Sequence, residues 1–232
     1  MKKFFGNIEN NEIYIDGEDL MHLAVLRCEI GEQIICYAND EFEYLCEIKN
    51  ISKKVAVCEI INKKECEGNP KCNITMFQGL PKQDKLEFIT QKLTELGASS
   101  LIPFESNFTI AKPNSNKLDR LNKITIEACK QCGRSVPLKI ENAIKFNEML
   151  ERLKDYDLVL FANETNKQIT KIDFSNAKNI AIIVGSEGGF SPEEIEKLKN
   201  IKVTEFGLGS RILRCETASV MSCGLVSYIL NN

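Results

Sequence analysis

The chain has 232 residues, of which 43% are hydrophobic and 27% charged, enough apolar material for one large domain or two small ones with proper cores. Its longest apolar runs, Leu158 to Ala162 and Ile180 to Gly185, fall far short of the roughly 20 residues that span a bilayer, and Met1 to Gly6 runs into polar residues instead of a signal-peptide core. A cytoplasmic protein with no membrane partner is expected, and the formal net charge of −3 gives no overall basic footprint.

Residues 1 to about 68 read as a small β-barrel domain. Glu12 to Ile15, Gln33 to Ala38, Glu43 to Ile48 and Val55 to Ile61 are alternating or β-branched runs separated by turn residues, and one helical patch, Asp19 to Arg27, interrupts them. Glu65 to Lys71, with Gly68, Asn69 and Pro70, forms a polar link to a second domain over 72–232. There the pattern changes to strands alternating with helices. Ile74 to Gly79 is a strand, followed by a helix through Ile89, Leu93 and Leu96 that Gly97 terminates, and a strand at Ser100 to Phe104. A helix from about Ser115 to Cys132 comes next, then strands at Leu158 to Ala162 and Ile180 to Gly185. A helix opening at Pro192, a strand near Val203 to Phe206 and a final helix from Cys215 to Leu230 complete the chain. The layout is α/β with a largely parallel sheet.

The ten cysteines are scattered through a chain too large to need disulfide staples, and they read as reduced core residues. Cys129-x-x-Cys132 lacks the second ligand pair of a structural zinc site, so no metal is expected. His22 is the one histidine, and no nucleophile turn accompanies it, which sets hydrolases aside. Charge is unevenly spread. From Thr109 to Lys139 seven basic residues, among them Lys112, Arg120, Lys130 and Arg134, face only Asp119 and Glu127, an excess of five in a chain that is otherwise acidic. Such a run is either a solvated helix face or a surface for an anionic partner.

In open α/β sheets, ligands sit at the carboxyl ends of strands, which directs attention to the loops after Ala162, Gly185 and Phe206. Gly185-Ser186-Glu187-Gly188-Gly189-Phe190 places three glycines between a buried strand and a helix whose start, Ser191-Pro192-Glu193-Glu194, has the form of a capping box. Three glycines in five residues point to close backbone approach. The spacing matches neither the dinucleotide-binding nor the triphosphate-binding glycine motif, and Glu187 disfavours a phosphate.

Together these segments resemble the RsmE-like branch of the SPOUT methyltransferases over nearly the whole chain. The matches are His22-Leu23, Val25-Leu26-Arg27 and Gly31; Lys82-x-x-Lys85; Gln91-Lys92-x-Thr94-Glu95-Leu96-Gly97; and Glu127-Ala128-x-x-Gln131-x-x-Arg134 with Pro137. They close with Gly185-x-Glu187-Gly188-Gly189-Phe190 and Leu208-Gly209-x-Arg211-Ile212-Leu213-Arg214-x-Glu216-Thr217-Ala218. The resemblance implies a PUA-like β-barrel that holds RNA, followed by a SPOUT α/β domain with a trefoil knot, acting as a homodimer on 16S ribosomal RNA of the small ribosomal subunit. It implies methyl transfer from S-adenosyl-L-methionine to N3 of a uridine. The cofactor residues so implied are Leu160, Phe161, Asn163, Glu164, Gly185, Glu187, Gly188, Gly189, Leu208, Gly209, Ile212, Leu213 and Thr217.

Arg27, Lys82, Lys112, Arg120, Lys130 and Arg134 are the RNA-binding candidates. Arg134, Arg211 and Arg214 are candidates for orienting phosphate or stabilising a uracil anion, and Glu187 or Glu216 for the base. Two departures from the family stand out: Ser186 where a proline is usual, and Phe104-Glu105-Ser106-Asn107, ending in Asn107, where Ser-Glu-Arg-Ser is common. Alternatives are a SPOUT enzyme acting on ribose 2′-oxygens or transfer RNA, and a non-catalytic RNA-binding assembly factor.

Overall fold

A computed structural model describes residues 1–82, 84–111, 116–163 and 172–230; Lys112 and Glu164 lie outside the described residues. The chain divides into two compact units, Met1–Asn69 with Cys129–Pro137, and Pro70–Ala128 with Leu138–Asn232.

The first unit is a six-stranded sheet of β1 (Lys3–Phe5), β2 (Asn7–Glu9), β3 (Glu12–Ile15), β4 (Gln33–Tyr37), β5 (Phe42–Ile51) and β6 (Ala56–Glu65), with helix α1 (Gly17–Val25) between β3 and β4. The order is β1-β4-β5-β6-β3-β2, so the two edge strands are consecutive in the chain and joined only by Gly6. At that bend the Gly6 N–H donates to the Tyr37 carbonyl at 3.0 Å, and a side chain would meet Ile13 at 2.6 Å. The sheet therefore curls so that its two edge strands come together at Gly6, a half-barrel form of the barrel expected from the strand pattern. Alternation sets its interior: Ile13 and Ile15, Ile34 and Cys36, Cys46 and Ile48, and Ala56 and Cys58 are fully buried. All ten cysteines are free, eight of them buried.

Cys129–Pro137 belongs to this unit through specific hydrogen bonds, which the strand and helix patterns do not foreshadow. The Asn69 side chain accepts from the Ser135 and Val136 N–H groups at 3.0 and 3.1 Å and donates to the Ser135 hydroxyl at 2.8 Å. Lys130 Nζ pairs with Asp19 at 3.0 Å.

The second unit contains β7 (Asn73–Gly79), α2 (Lys85–Glu95), β8 (Ser100–Glu105), most of α3 (Asn116–Cys132), β9 (Lys139–Ile140), β10 (Ile144–Lys145), α4 (Phe146–Arg152), β11 (Leu158–Ala162), β12 (Asn179–Val184), α5 (Pro192–Lys199), β13 (Thr204–Phe206) and α6 (Cys215–Leu230). Its sheet is parallel throughout, in the order β10-β8-β7-β12-β11-β13, with β9 beside β8. Both faces are covered. Ile180, Ile182 and Leu160 pack with Ile89 and Leu93 of α2 and Cys223 and Val226 of α6. Ala181, Ile183 and Phe161 pack with Met149 of α4 and Leu198 of α5. Burial on both sides explains why β12 reads as one continuous apolar run, Ile-Ala-Ile-Ile-Val. Helix α2 ends where Gly97 takes φ +85°, the left-handed position that a glycine C-cap supplies. No helix among the described residues is long and apolar enough to cross a membrane.

Candidate functional site

The adjacent parallel strands β12, β11 and β13 deliver their carboxyl-terminal loops to one place, and the glycine loop after β12 is held there from three sides. Gln78 is fully buried at the end of β7; its amide donates to the Gly185 carbonyl at 3.2 Å, and its oxygen lies against the Ser219 hydroxyl of α6. Next to it Gly79 passes so close to the loop that a side chain would lie 2.4 Å from the Ser186 N. The Gly189 N–H bonds the Ser186 carbonyl at 3.0 Å with Gly189 at φ +65°, a tight turn that places Phe190 against Phe161 and Phe104, ring centroids 5.2 and 5.9 Å apart. The capping box of α5 follows: Ser191 N–H donates to Glu194 at 2.9 Å and Glu194 N–H to Ser191 Oγ at 3.3 Å.

These loops enclose a cavity of about 480 Å³ lined by Phe161, Ala162 and Asn163, by Val184 to Phe190, and by Leu208, Gly209 and Arg211 to Cys215, with Lys85, Ile195 and Ala218 completing it. That volume falls within the ~300–1,000 Å³ of small-molecule pockets. The lining is mainly backbone amides and apolar side chains, with charge confined to Lys85, Glu187, Arg211 and Arg214. A nucleoside-sized cofactor fits this set: apolar walls suit a purine, loop backbone suits its polar edges, and a carboxylate suits an attached cation.

Lys85, on the first turn of α2, organises the charged side. Its ammonium lies 2.8 Å from Glu187 and 3.3 Å from Glu216, and the Lys82 N–H also donates to Glu187 at 3.1 Å. Burial alone would raise the Glu187 carboxyl, but Lys85 and the backbone donors outweigh it and hold it below its ordinary value. At Glu216 burial is likewise outweighed, by backbone N–H, the Cys215 thiol and Lys85. Burial, reinforced by Glu216, pushes the Cys215 thiol up to about 12, so it stays protonated.

The expected cofactor residues Phe161, Asn163, Gly185, Glu187, Gly188, Gly189, Leu208, Gly209, Ile212 and Leu213 all line this one cavity. Leu160 is fully buried in the core behind it. Thr217 is exposed on the first turn of α6. Arg211 and Arg214 line the cavity and are exposed to solvent, and Glu216 joins through Lys85. Arg134 is 2% exposed within the first unit, and Lys130 is buried in its ion pair with Asp19. Arg27 is exposed at the end of α1 with φ +51°, Lys82 is exposed, and Arg120 pairs with Glu87 at 2.7 Å while remaining open to solvent. Lys85 was absent from the expected site; its signal in the sequence is the Lys82-x-x-Lys85 spacing. Asn107, the position that departs from the family, binds inside the protein: its amide N–H donates to Glu194 at 2.8 Å and its side chain to the Ser191 hydroxyl at 3.0 Å.

Comparison with known proteins places this site in a family. Residues 67–227 match the model described as RNA methyltransferase domain, and residues 15–61 match RNA methyltransferase PUA domain. The chain is 32% identical to ribosomal RNA small subunit methyltransferase E of Bacillus subtilis, covering 98% of this chain and 96% of that protein. It is 33% identical to the protein of that name from Rickettsia conorii, with 95% and 91% covered. The crystal structure of a ribosomal RNA small subunit methyltransferase E from Neisseria gonorrhoeae, bound to S-adenosyl methionine, superposes with a TM-score of 0.87 at 25% identity, covering 99% of this chain and 98% of that one. With PUA and methyltransferase domains in the order of its two compact units and relatives matched along almost their full length, the chain belongs to the RNA methyltransferase family, in its small-subunit ribosomal RNA methyltransferase E branch.

Proposed function

We propose that the protein transfers a methyl group from S-adenosylmethionine to N3 of a uridine in the 16S ribosomal RNA of the small subunit, in the cytoplasm and as a homodimer. The observation that carries this reading is one cavity formed by the three strand-end loops, with Glu187 and Lys85 on its wall, Glu216 paired to Lys85, and Arg211 and Arg214 lining it while exposed to solvent. When bound, S-adenosylmethionine supplies an electrophilic methyl group on a positively charged sulfur. Phe161, Leu208, Ile212 and Leu213 would pack the adenosine, and the Gly185–Gly189 backbone would meet its polar edges, with open space where a side chain on Gly189 would stand.

Both carboxyls are held below their ordinary values, which makes them weak bases, and Glu187 on the cavity wall anchors the loop to Lys82 and Lys85. N3 of uracil carries the proton used in base pairing, so the substrate base must be unpaired, and it becomes nucleophilic as that proton leaves. Arg211 and Arg214 are the side chains suited to stabilise the developing uracil anion or to fix a neighbouring phosphate. The burial of Arg134 and Lys130 favours a structural role for both, leaving Arg27, Lys82 and Arg120, together with Lys112 outside the described residues, as the proposed RNA contacts. The trefoil knot that the family resemblance implies would be formed by the loops after β11, β12 and β13. Calorimetry with S-adenosylmethionine tests the reading: saturable one-site binding is expected, whereas RNA affinity without cofactor binding would favour a non-catalytic assembly factor.

A further inference from the structure

The turn after β8 sits directly on the glycine loop of the pocket. It is tied to itself by Ser106 N–H donating to Thr109 Oγ1 at 2.8 Å and Thr109 N–H donating to the Ser106 carbonyl at 3.0 Å. Asn107 ties it to the α5 capping box through Glu194 and Ser191. At its tip Phe108 is 49% exposed although it touches the pocket loop: a side chain on Gly188, a cavity-lining residue, would lie 2.7 Å from Phe108 Cβ. A half-exposed aromatic ring is thus held in place by four hydrogen bonds beside the cavity, while Phe190, two residues after Gly188, is turned inward against Phe104 and Phe161.

We propose that Phe108 is the platform on which the unpaired substrate base, or the base next to it, stacks as its reacting edge meets the pocket. The inference rests on the reading of the site as an RNA methyltransferase centre. An aromatic face recognises any nucleobase and requires it to be unstacked from its neighbours, the state that N3 chemistry demands. The rigid turn makes the platform preformed, so the base and not the protein is ordered on binding. Asn107 is then a positioning residue that fixes the turn through the helix cap without touching RNA.

The test compares wild type with Phe108→Ala, Phe108→Leu, Phe108→Tyr and Phe108→Trp, measuring kcat and KM for undermethylated small ribosomal subunits and, separately, the calorimetric Kd for S-adenosylmethionine. Loss of a stacked base predicts a drop of about tenfold or more in kcat/KM for the Ala and Leu variants. The Tyr and Trp variants should stay within about threefold of wild type, and the cofactor Kd should stay within about twofold throughout. Wild-type kinetics in Phe108→Ala, or Phe108→Leu as active as Phe108→Tyr, would overturn the proposal, the second by showing that bulk and not a ring face is needed. A cofactor Kd that worsens in step with kcat/KM would also overturn it, assigning Phe108 to packing of the glycine loop. If the Ala variant does not fold, the Leu and Tyr pair decides. A wild-type protein that binds cofactor but transfers no label would instead remove the underlying reading of the site.

Discussion

Lys85 meets two carboxylates, one 102 residues away in the chain and the other on the first turn of α6. The sequence singles out Glu187 and Glu216 because each stands in or directly after a glycine-bearing or arginine-rich loop, whereas the cation that pairs them is marked only by the Lys82-x-x-Lys85 spacing. Contact across that separation has no local signature. The same limit explains Lys130 and Arg134, which belong to a basic run that reads as surface until the burial of both and the pairing of Lys130 with Asp19 are seen. Replacing Lys85 by Met leaves two carboxylates facing each other in a partly buried wall, which should cost about 1–2 kcal/mol and weaken S-adenosylmethionine binding roughly 5- to 30-fold by calorimetry. Unchanged affinity would show that the cluster does not shape the pocket. The carboxyls of Glu187 and Glu216 are held below their ordinary values, so their contribution is present above the ordinary carboxylate pKa of about 4.3 and is lost only as pH falls through the lower folded values. Cofactor affinity should therefore be flat across neutral and mildly acidic pH as far as these groups are concerned, and fall only once pH drops below the ordinary carboxylate range.

At the level of elements, period-2 alternation in β3 to β5 and the apolar runs of β11 and β12 are legible because burial repeats with the backbone. The α5 start is legible because Ser191-Pro192-Glu193-Glu194 encodes its own cap. The short strands β1 and β2 and the helix α4 escape notice, since three-residue strands and a seven-residue helix carry too few residues to show a period. The return of Cys129–Pro137 to the first unit escapes for a different reason: side-chain and backbone groups around Asn69 and Ser135 decide it, not hydrophobic spacing. Gly79 is unremarkable as the last residue of a strand, yet it admits the glycine loop. Gly79→Ala would place a methyl group 2.4 Å from Ser186 N and 2.8 Å from the Gly185 carbonyl carbon, both rigid backbone atoms. The loop must shift, and a loss of tenfold or more in cofactor affinity is expected, about 1.4 kcal/mol or more, with the far-ultraviolet circular dichroism retained. Wild-type affinity in that variant would mean that the loop can yield at no cost.

For the molecule as a whole, α6 buries Cys223 and Val226 on one side and leaves Met221, Leu225, Tyr228 and Ile229 exposed on another, at i, i+4, i+7 and i+8. That is a continuous apolar helix face, which supports the homodimer proposed above. Tyr228→Glu should shift the protein from dimer to monomer in multi-angle light scattering, and a monomeric wild type would contradict this assignment. The methyl donor follows from the pocket and the family; the target atom is the claim that reaches furthest. Pure protein, S-adenosylmethionine labelled in its methyl group and undermethylated small subunits should give one labelled nucleoside, released by nuclease digestion and identified by mass spectrometry as N3-methyluridine at a single 16S position. Label on a ribose 2′-oxygen, on transfer RNA alone or on no RNA at all would contradict it.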